Sequence, residues 1–222
     1  MLVSALEGHR LWAENYDTTP NPLLALERRL LDDLLDTAAG TCVVDVACGT
    51  GRWTKWFSER GASAFGFDVC AEMLGRVPSG LRGRCARARA ENLPIASHIA
   101  DLTVCSFAAG YFPALEQAIR EMARITAIGG RVVIADLHPA TGAVGWTRSF
   151  HAAGRVYEIE HFRYSVADFT GSAERAGLHL TSEIHGYFGE PERPIFERAE
   201  RPERFAHVTD VPAIWIGDWR KT

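Results

Sequence analysis

The sequence predicts an α/β fold, a mostly parallel sheet of seven strands with helices on both faces and an antiparallel strand at one edge. Three observations predict it. Apolar runs of strand length alternate with amphipathic stretches from Thr41 to Leu137, and a βαβα order implies parallel pairing through crossover helices. The first run ends in a glycine-rich turn, Val43 to Trp53 reading VVDVACGTGRW, where a strand gives way to a helix. The last two runs, 178–187 and 211–216, show no helical pattern between them, so they form the antiparallel edge. With 222 residues the chain suits one domain with a full core. Cap helices occupy 1–38, the ligand-binding core 40–137, and the sheet edge with substrate-side segments 138–222.

Leu2, Leu6, Leu11, Trp12 and Tyr16 space a short helix over 2–17, which the two prolines of TTPNP end. Asn21 caps a second helix with Pro22 at its first position, and Leu23, Leu26, Leu30 and Leu34 form its apolar stripe. Glu27 falls inside that stripe and is read as an acid where the apolar face meets solvent. Gly40 closes the helix. A strand whose front is 41–44, with Asp45 at its exit, follows, then a helix from Arg52 to Arg60 capped by Gly61, a strand over 62–67, a helical turn over 71–76 and a strand over 83–88. The fourth strand spans 102–107, a helix 113–125, and the fifth strand 131–137, opened by a turn at Gly129-Gly130. Beyond it, 138–155 reads as irregular, 156–164 as an extra strand and 166–176 as a helix ended by Gly177. The charged, Pro-rich connector 190–205 reads as a solvated loop.

Composition excludes several classes. Hydrophobic residues at 47% and charged residues at 23% belong to an ordinary globular protein. No apolar run reaches the roughly 18 residues that span a bilayer, and residues 1–20 lack the basic start and apolar centre of an export signal. A cytoplasmic protein without a membrane partner is expected. Five cysteines, odd in number and without a CxxC pair, read as reduced thiols. The net charge of -4 argues against a nucleic-acid partner, and the five arginines between Arg76 and Arg89 read as a solvated basic edge. No HExxH or Cys/His spacing is present, and Asp136 alone offers too few oxygens for magnesium, so no metal is expected. A small-molecule substrate is the expected partner, with a homodimer as the assembly left open.

The glycine turn is the first candidate site, because a turn without Cβ atoms lets backbone N–H groups approach a ligand. Asp68 closes the second strand 19 residues beyond Gly49, where a carboxylate accepts both hydroxyls of a ribose. A dinucleotide site would carry a third glycine three residues after Gly51, and Thr54 stands there. Asp45, at the head of the turn, repels a diphosphate and suits a cationic ligand.

Five segments in order, VVDVACGTG, GFDVCAEML, ARAENLPI, ADLTVCSFA and AIGGRVVIAD, resemble the motifs of the class I S-adenosylmethionine-dependent methyltransferases. Within that family the chain is similar to the small-molecule branch related to ubiquinone-biosynthesis methyltransferases, closely over 40–137 and loosely in the flanks. The resemblance implies a Rossmann-like sheet, S-adenosylmethionine as cofactor with S-adenosylhomocysteine as product, and methyl transfer to a small acceptor. It implies that Asp45, Ala47, Gly49 and Gly51 border the methionine part, that Asp68 holds the ribose and that Val69 lies beside the adenine. It further implies Ala90 and Glu91 at the adenine edge, Ser106 and Phe107 along the cleft, and Tyr16 with Asp17 in a flap over the cofactor.

The chain departs from the family pattern at Ala47, where a glycine is usual, at Arg89, where an aspartate is frequent, and at Ala100 and Gly110-Tyr111, in place of an aromatic residue and histidines. Methyl transfer from a sulfonium needs alignment above all, and a base only where the acceptor must lose a proton. His138, directly after the fifth strand, is the first candidate for that base or for substrate orientation, against a turn histidine bonded to backbone. His161 and Tyr164 in EIEHFRYS follow, in a segment read as a lid. Trp12 and Trp146 are the two tryptophans in cleft-covering segments. Competing readings are a non-catalytic regulator or partner subunit that binds the same cofactor, and an NAD-dependent oxidoreductase. A base-modifying enzyme of nucleic acids is disfavoured by Ser106-Phe107-Ala108-Ala109, which stands where Asn/Asp-Pro-Pro-aromatic is usual.

Overall fold

The computed structural model describes residues 1–198, 205 and 207–222. Its elements in order are β1 (Leu2–Val3), α1 (Ala5–Trp12), α2 (Pro22–Leu31), β2 (Cys42–Val46), α3 (Arg52–Glu59), β3 (Ser63–Asp68), α4 (Ala71–Leu74), β4 (Cys85–Arg87), β5 (Ala100–Ser106), α5 (Leu115–Ile125) and β6 (Thr126–Leu137). There follow β7 (Ser149–Ala152), β8 (Arg155–Ile159), α6 (Val166–Arg175), β9 (Leu178–Gly186), α7 (Arg193–Arg198) and β10 (Ile214–Lys221). Seven strands form the main sheet in the order β4-β3-β2-β5-β6-β10-β9. The first five run parallel, and β10 runs antiparallel to both β6 and β9. The antiparallel strand therefore lies one place in from the rim.

Val43, Val44 and Val46 are buried, as a central parallel strand covered on both faces requires. On one face α5 and α6 bring Ile119, Met122 and Phe169 against Trp215 and Trp219. On the other, α2 and α3 bring Leu26, Leu31, Trp53 and Phe57 against Val43 and Ile216. Strand order reverses between β2 and β5, which fixes the crevice at their carboxyl ends as the ligand position. No helix among the described residues is long and apolar enough to cross a membrane.

Several boundaries differ from the sequence reading. Gly129-Gly130 does not open the fifth strand but lies inside β6, at a register shift against β5. A Cβ on Gly130 would stand 2.9 Å from the Ala127 oxygen and 3.0 Å from the Ala100 oxygen, so a close backbone approach requires that glycine. The last strand starts later than 211 and runs on past Ile216, because Gly217 leaves room for the rings of Trp215 and Trp219, 5.8 Å apart. The third parallel strand shrinks to three residues behind a 3-10 turn over Ser79–Arg84.

The stretch 138–155 is not wholly irregular: its end forms β7, which pairs with β8 around a tight turn at Ala153-Gly154, both at positive φ. Leu2 and Val3, read as helix, add a parallel strand to β8. Helix α1 packs onto this small sheet so closely that a Cβ on Gly8 would lie 2.8 Å from Ile159. Trp12 stacks on Phe150 at 4.9 Å and Phe150 on Tyr157 at 5.3 Å. The N-terminal segment and the hairpin thus form one unit beside the carboxyl ends of the parallel strands.

The connector after β9 is not simply solvated. Glu192 is 1% exposed, holds the guanidinium of Arg29 at 2.8 and 3.0 Å and accepts from the Gly189 N–H, which docks this stretch on α2. Helix α7 lies within it. Residues 199–204, part of the same expected loop, lie outside the described residues.

Candidate active site

The turn after β2 is held by its own backbone and by two carboxylates. Asp68, 8% exposed at the end of β3, accepts from the Gly49 N–H at 2.8 Å through one oxygen and from the Cys70 N–H at 2.7 Å through the other. Each carboxylate oxygen has two acceptor sites, so capacity for ligand hydroxyls remains. Asp45 accepts from the Thr54 N–H at 2.9 Å and its hydroxyl at 2.8 Å, both on one oxygen. Its other oxygen has no hydrogen-bond partner among the described residues. Burial pushes the Asp45 carboxyl up to about 7, against the bonds from Thr54 and the nearby Arg52 charge.

An acid whose folded pKa lies above its unfolded one binds more protons when folded. Stability from Asp45 is therefore full below pH about 4 and is lost as pH rises to about 7. Urea unfolding of the ligand-free protein is expected to show a loss on the order of 2 kcal/mol between pH 5 and 8 that Asp45→Asn lacks. An equal slope in both proteins would refute the assignment.

Ala47 sits in the left-handed region at φ 58, which explains why glycine is usual at this place. Relief of that conformation, offset by the greater freedom of unfolded glycine, gives Ala47→Gly an expected gain of up to ~1 kcal/mol. A rise in thermal midpoint checks this, and a fall contradicts it. Gly49 lies at φ 56, and a Cβ there would stand 3.1 Å from Met73. Phe107, at φ 52, turns the chain sharply at the end of β5.

These ends enclose a cavity of about 220 Å³. Ten of the eleven residues expected around the cofactor line it: Tyr16, Asp45, Ala47, Gly49, Asp68, Val69, Ala90, Glu91, Ser106 and Phe107. Gly51 does not. It sits at φ 81 as the N-cap of α3 with Val77 behind it, so it shapes the turn from outside. Arg89, in place of the frequent aspartate, also lines the cavity, 3.4 Å from Glu91. Asp17, next to Tyr16, accepts from the Thr50 hydroxyl at 2.8 Å and so ties the flap to the turn. Burial pushes the Tyr16 phenol up to about 12, which keeps it neutral.

Glu27 corrects the sequence reading most. It is fully buried rather than at a solvent margin, pairs with Arg52 at 2.5 Å and accepts from the Ser106 hydroxyl. Arg52 also donates to Ser106 at 3.1 Å and lies over the Trp53 ring. One carboxylate thus joins α2, the first residue of α3 and the end of β5 beneath the cavity. Arg52 and Trp53 both line it, and the sequence reading missed them.

The roof comes from α1 and from Tyr111, which follows β5. His9 and Tyr111 both line the cavity, their rings edge to face at 4.9 Å. Trp12 turns instead into the small sheet. Arg148 lies over the Tyr111 ring at 4.6 Å, pairs with Asp136 and donates to the Phe107 oxygen at 3.2 Å.

His138, His161 and Tyr164 do not join this cavity. They line a second one, of about 170 Å³, with Trp146 and the Arg148–Asp136 pair. The Ala140 N–H donates to His138 Nδ1 at 3.0 Å, so the ring hydrogen is on Nε2, which donates to His185 Nδ1 at 2.9 Å; His185 in turn donates to Glu183 at 2.8 Å. Both nitrogens of His138 are engaged. His161 Nδ1 donates to the Ile159 oxygen at 3.1 Å, and the Tyr164 hydroxyl to the Phe112 oxygen at 2.6 Å.

The sequence pattern of a family described as a methyltransferase domain matches residues 44–134. A methyltransferase, GfsG, of Streptomyces halstedii is 32% identical over 178 residues, covering 72% of this chain and 62% of that protein. A demethylmenaquinone methyltransferase of Thermobifida fusca is 32% identical over 124 residues, 50% of this chain and 52% of that protein. The chain thus spans less than two thirds of these relatives. An S-adenosylmethionine-dependent methyltransferase structure from Mesorhizobium loti shares the fold at a TM-score of 0.69, with 22% identity over 90% of this chain and all of that one.

Proposed function

We propose, for a chain whose residues 44–134 match the pattern of a methyltransferase-domain family, that the first cavity binds S-adenosylmethionine and that the protein transfers its methyl group to a small-molecule acceptor. The observation that carries this reading is that ten of the eleven residues implied by the family's motifs line a single cavity at the sheet's switch point. The donor set suits the ligand. Asp68 would hold the ribose hydroxyls with the acceptor sites that Gly49 and Cys70 leave open. The unpartnered oxygen of Asp45 would take the cationic end of the methionine part. Val69, Ala88 and Ala90 offer apolar walls for a flat ring, with Glu91 at its polar edge.

When bound, S-adenosylmethionine supplies a methyl group on a good leaving group. The chain's own task is then to position an acceptor and exclude water. Helix α1 and the β7–β8 hairpin cover the acceptor side in this reading, and His138, His161 and Tyr164 serve the second cavity behind Arg148, as an approach to the site. The relatives' names include a demethylmenaquinone methyltransferase and a malonyl-[acyl-carrier protein] O-methyltransferase, which supports a small or carrier-borne acceptor. The five free thiols fit the cytoplasm. Calorimetric titration of the purified protein is expected to show saturable binding of S-adenosylhomocysteine and none of NAD. No heat with the first, or a tight site for the second, refutes the reading.

A further inference from the structure

We propose that His9 is the general base of this site, and that the acceptor it serves carries its proton on an oxygen of the phenol or enol class. The proposal rests on the methyl-transfer reading above. It starts from a tautomer fixed by the helix. His9 Nδ1 lies 2.7 Å from the carbonyl oxygen of Ala5, one turn earlier in α1. A carbonyl only accepts, so Nδ1 carries the ring hydrogen and Nε2 the lone pair. Among the described residues no group hydrogen-bonds to that Nε2.

The ring faces the right space. Among the described residues His9 is the one histidine lining the first cavity, while the nitrogens of His138 and Nδ1 of His161 are committed to protein partners around the second. Its helix is held in place by the contact of Gly8 with Ile159, and its ring packs perpendicular to that of Tyr111. Asp68 faces it from the end of β3, and Arg148 from the segment before β7. Burial is the main cause that lowers its pKa, with Arg148 acting the same way and the Ala5 carbonyl and Asp68 opposing. A neutral imidazole at neutral pH is the result, ready to accept a proton.

These surroundings select the acceptor. A protonated amine would bring a further cation beside Arg148 and the donor's sulfonium. An aliphatic alcohol holds its proton too tightly for a weakened imidazole, whereas a phenol, with a pKa of about 10, lies within reach. In the step, the acceptor's O–H bond breaks and its proton goes to Nε2. The freed oxygen pair forms the new bond to the methyl carbon as the carbon–sulfur bond breaks, its electrons returning to sulfur. The positive charge passes from sulfonium to imidazolium, opposite Asp68, and the proton then leaves to solvent.

Two readouts test this. In protein labelled with nitrogen-15 in histidine, long-range nitrogen–proton NMR at pH 7 is expected to show His9, assigned through its backbone, as the neutral Nδ1–H tautomer. The opposite tautomer or a charged ring overturns the proposal, and this readout needs neither cofactor nor acceptor. The second uses tritiated-methyl S-adenosylmethionine with para-substituted phenols of graded acidity. His9→Asn keeps a donor for the Ala5 carbonyl and lacks Nε2. It is expected to lower kcat about 100-fold for the least acidic phenols and progressively less for those that arrive ionised, with S-adenosylhomocysteine affinity within a few-fold.

An unchanged kcat, an equal loss across the series, or no labelled phenol from a wild-type protein that binds S-adenosylhomocysteine overturns the proposal. Wild-type protein that fails to bind S-adenosylhomocysteine refutes the methyl-transfer reading instead. If His9→Asn does not fold by circular dichroism, the wild-type NMR result decides.

Discussion

Glu27→Ala is expected to lower folding stability by about 3–5 kcal/mol, the cost of breaking a buried ion pair from one side. The carboxylate is wholly buried, and its two partners, Arg52 and Ser106, belong to elements far along the chain. Its removal leaves the Arg52 guanidinium without its ion-pair partner, bonded to Ser106 and lying over the Trp53 ring. Since Arg52 opens α3 directly behind the glycine turn, the cavity floor loosens along with the fold. Urea unfolding measures the first effect, and calorimetry with S-adenosylhomocysteine the second. A variant within ~0.5 kcal/mol of wild type, the range of ordinary surface changes, would show that the pair is not structural. Replacing Glu27 and Arg52 together by apolar residues is expected to recover much of the stability without recovering the affinity, because a buried pair gives specificity of place more than net stability.

The largest effect on binding is expected from Asp68→Ala. Two ribose hydroxyls donated to an ionised carboxylate contribute about 1.5–3 kcal/mol each, so affinity for S-adenosylhomocysteine should fall roughly 100-fold or more. The same substitution frees the Gly49 and Cys70 N–H groups that Asp68 now holds, which adds to the loss. Normal affinity in a folded Asp68→Ala protein would remove the ribose assignment.

Much of the core was legible in the sequence because its signals are local. Valine-rich runs, the Gly49–Gly51 turn and an acid at the end of the next strand sit within thirty residues of one another and specify their own geometry. The same holds for Gly177, which ends the segment of α6 at positive φ. What escaped depends on partners distant in sequence. Glu27 looked like a misplaced surface acid because Arg52 lies 25 residues away and Ser106 79.

The β7–β8 hairpin was missed because alanine, not asparagine or aspartate, takes the first left-handed position of its turn, at Ala153. The last strand was read only to Ile216, yet Gly217 continues it and leaves room for the rings of Trp215 and Trp219. His9 carried one usable signal, a histidine beside the small Gly8 on an otherwise apolar helix face, but its meaning depends on Tyr111 and Ile159. His138 drew attention through its place after the fifth strand, where its neighbour proved to be His185, 47 residues on.

The cavity at the β2–β5 switch point is expected to hold the methyl donor with its sulfur toward the acceptor space beside His9. A crystal structure of the protein with S-adenosylhomocysteine tests it most directly. Ribose hydroxyls are expected within hydrogen-bond distance of Asp68, the amino end at Asp45, and the sulfur open toward the space below His9 and Tyr111. Density for the ligand in the second cavity, or a ribose turned away from Asp68, would contradict it.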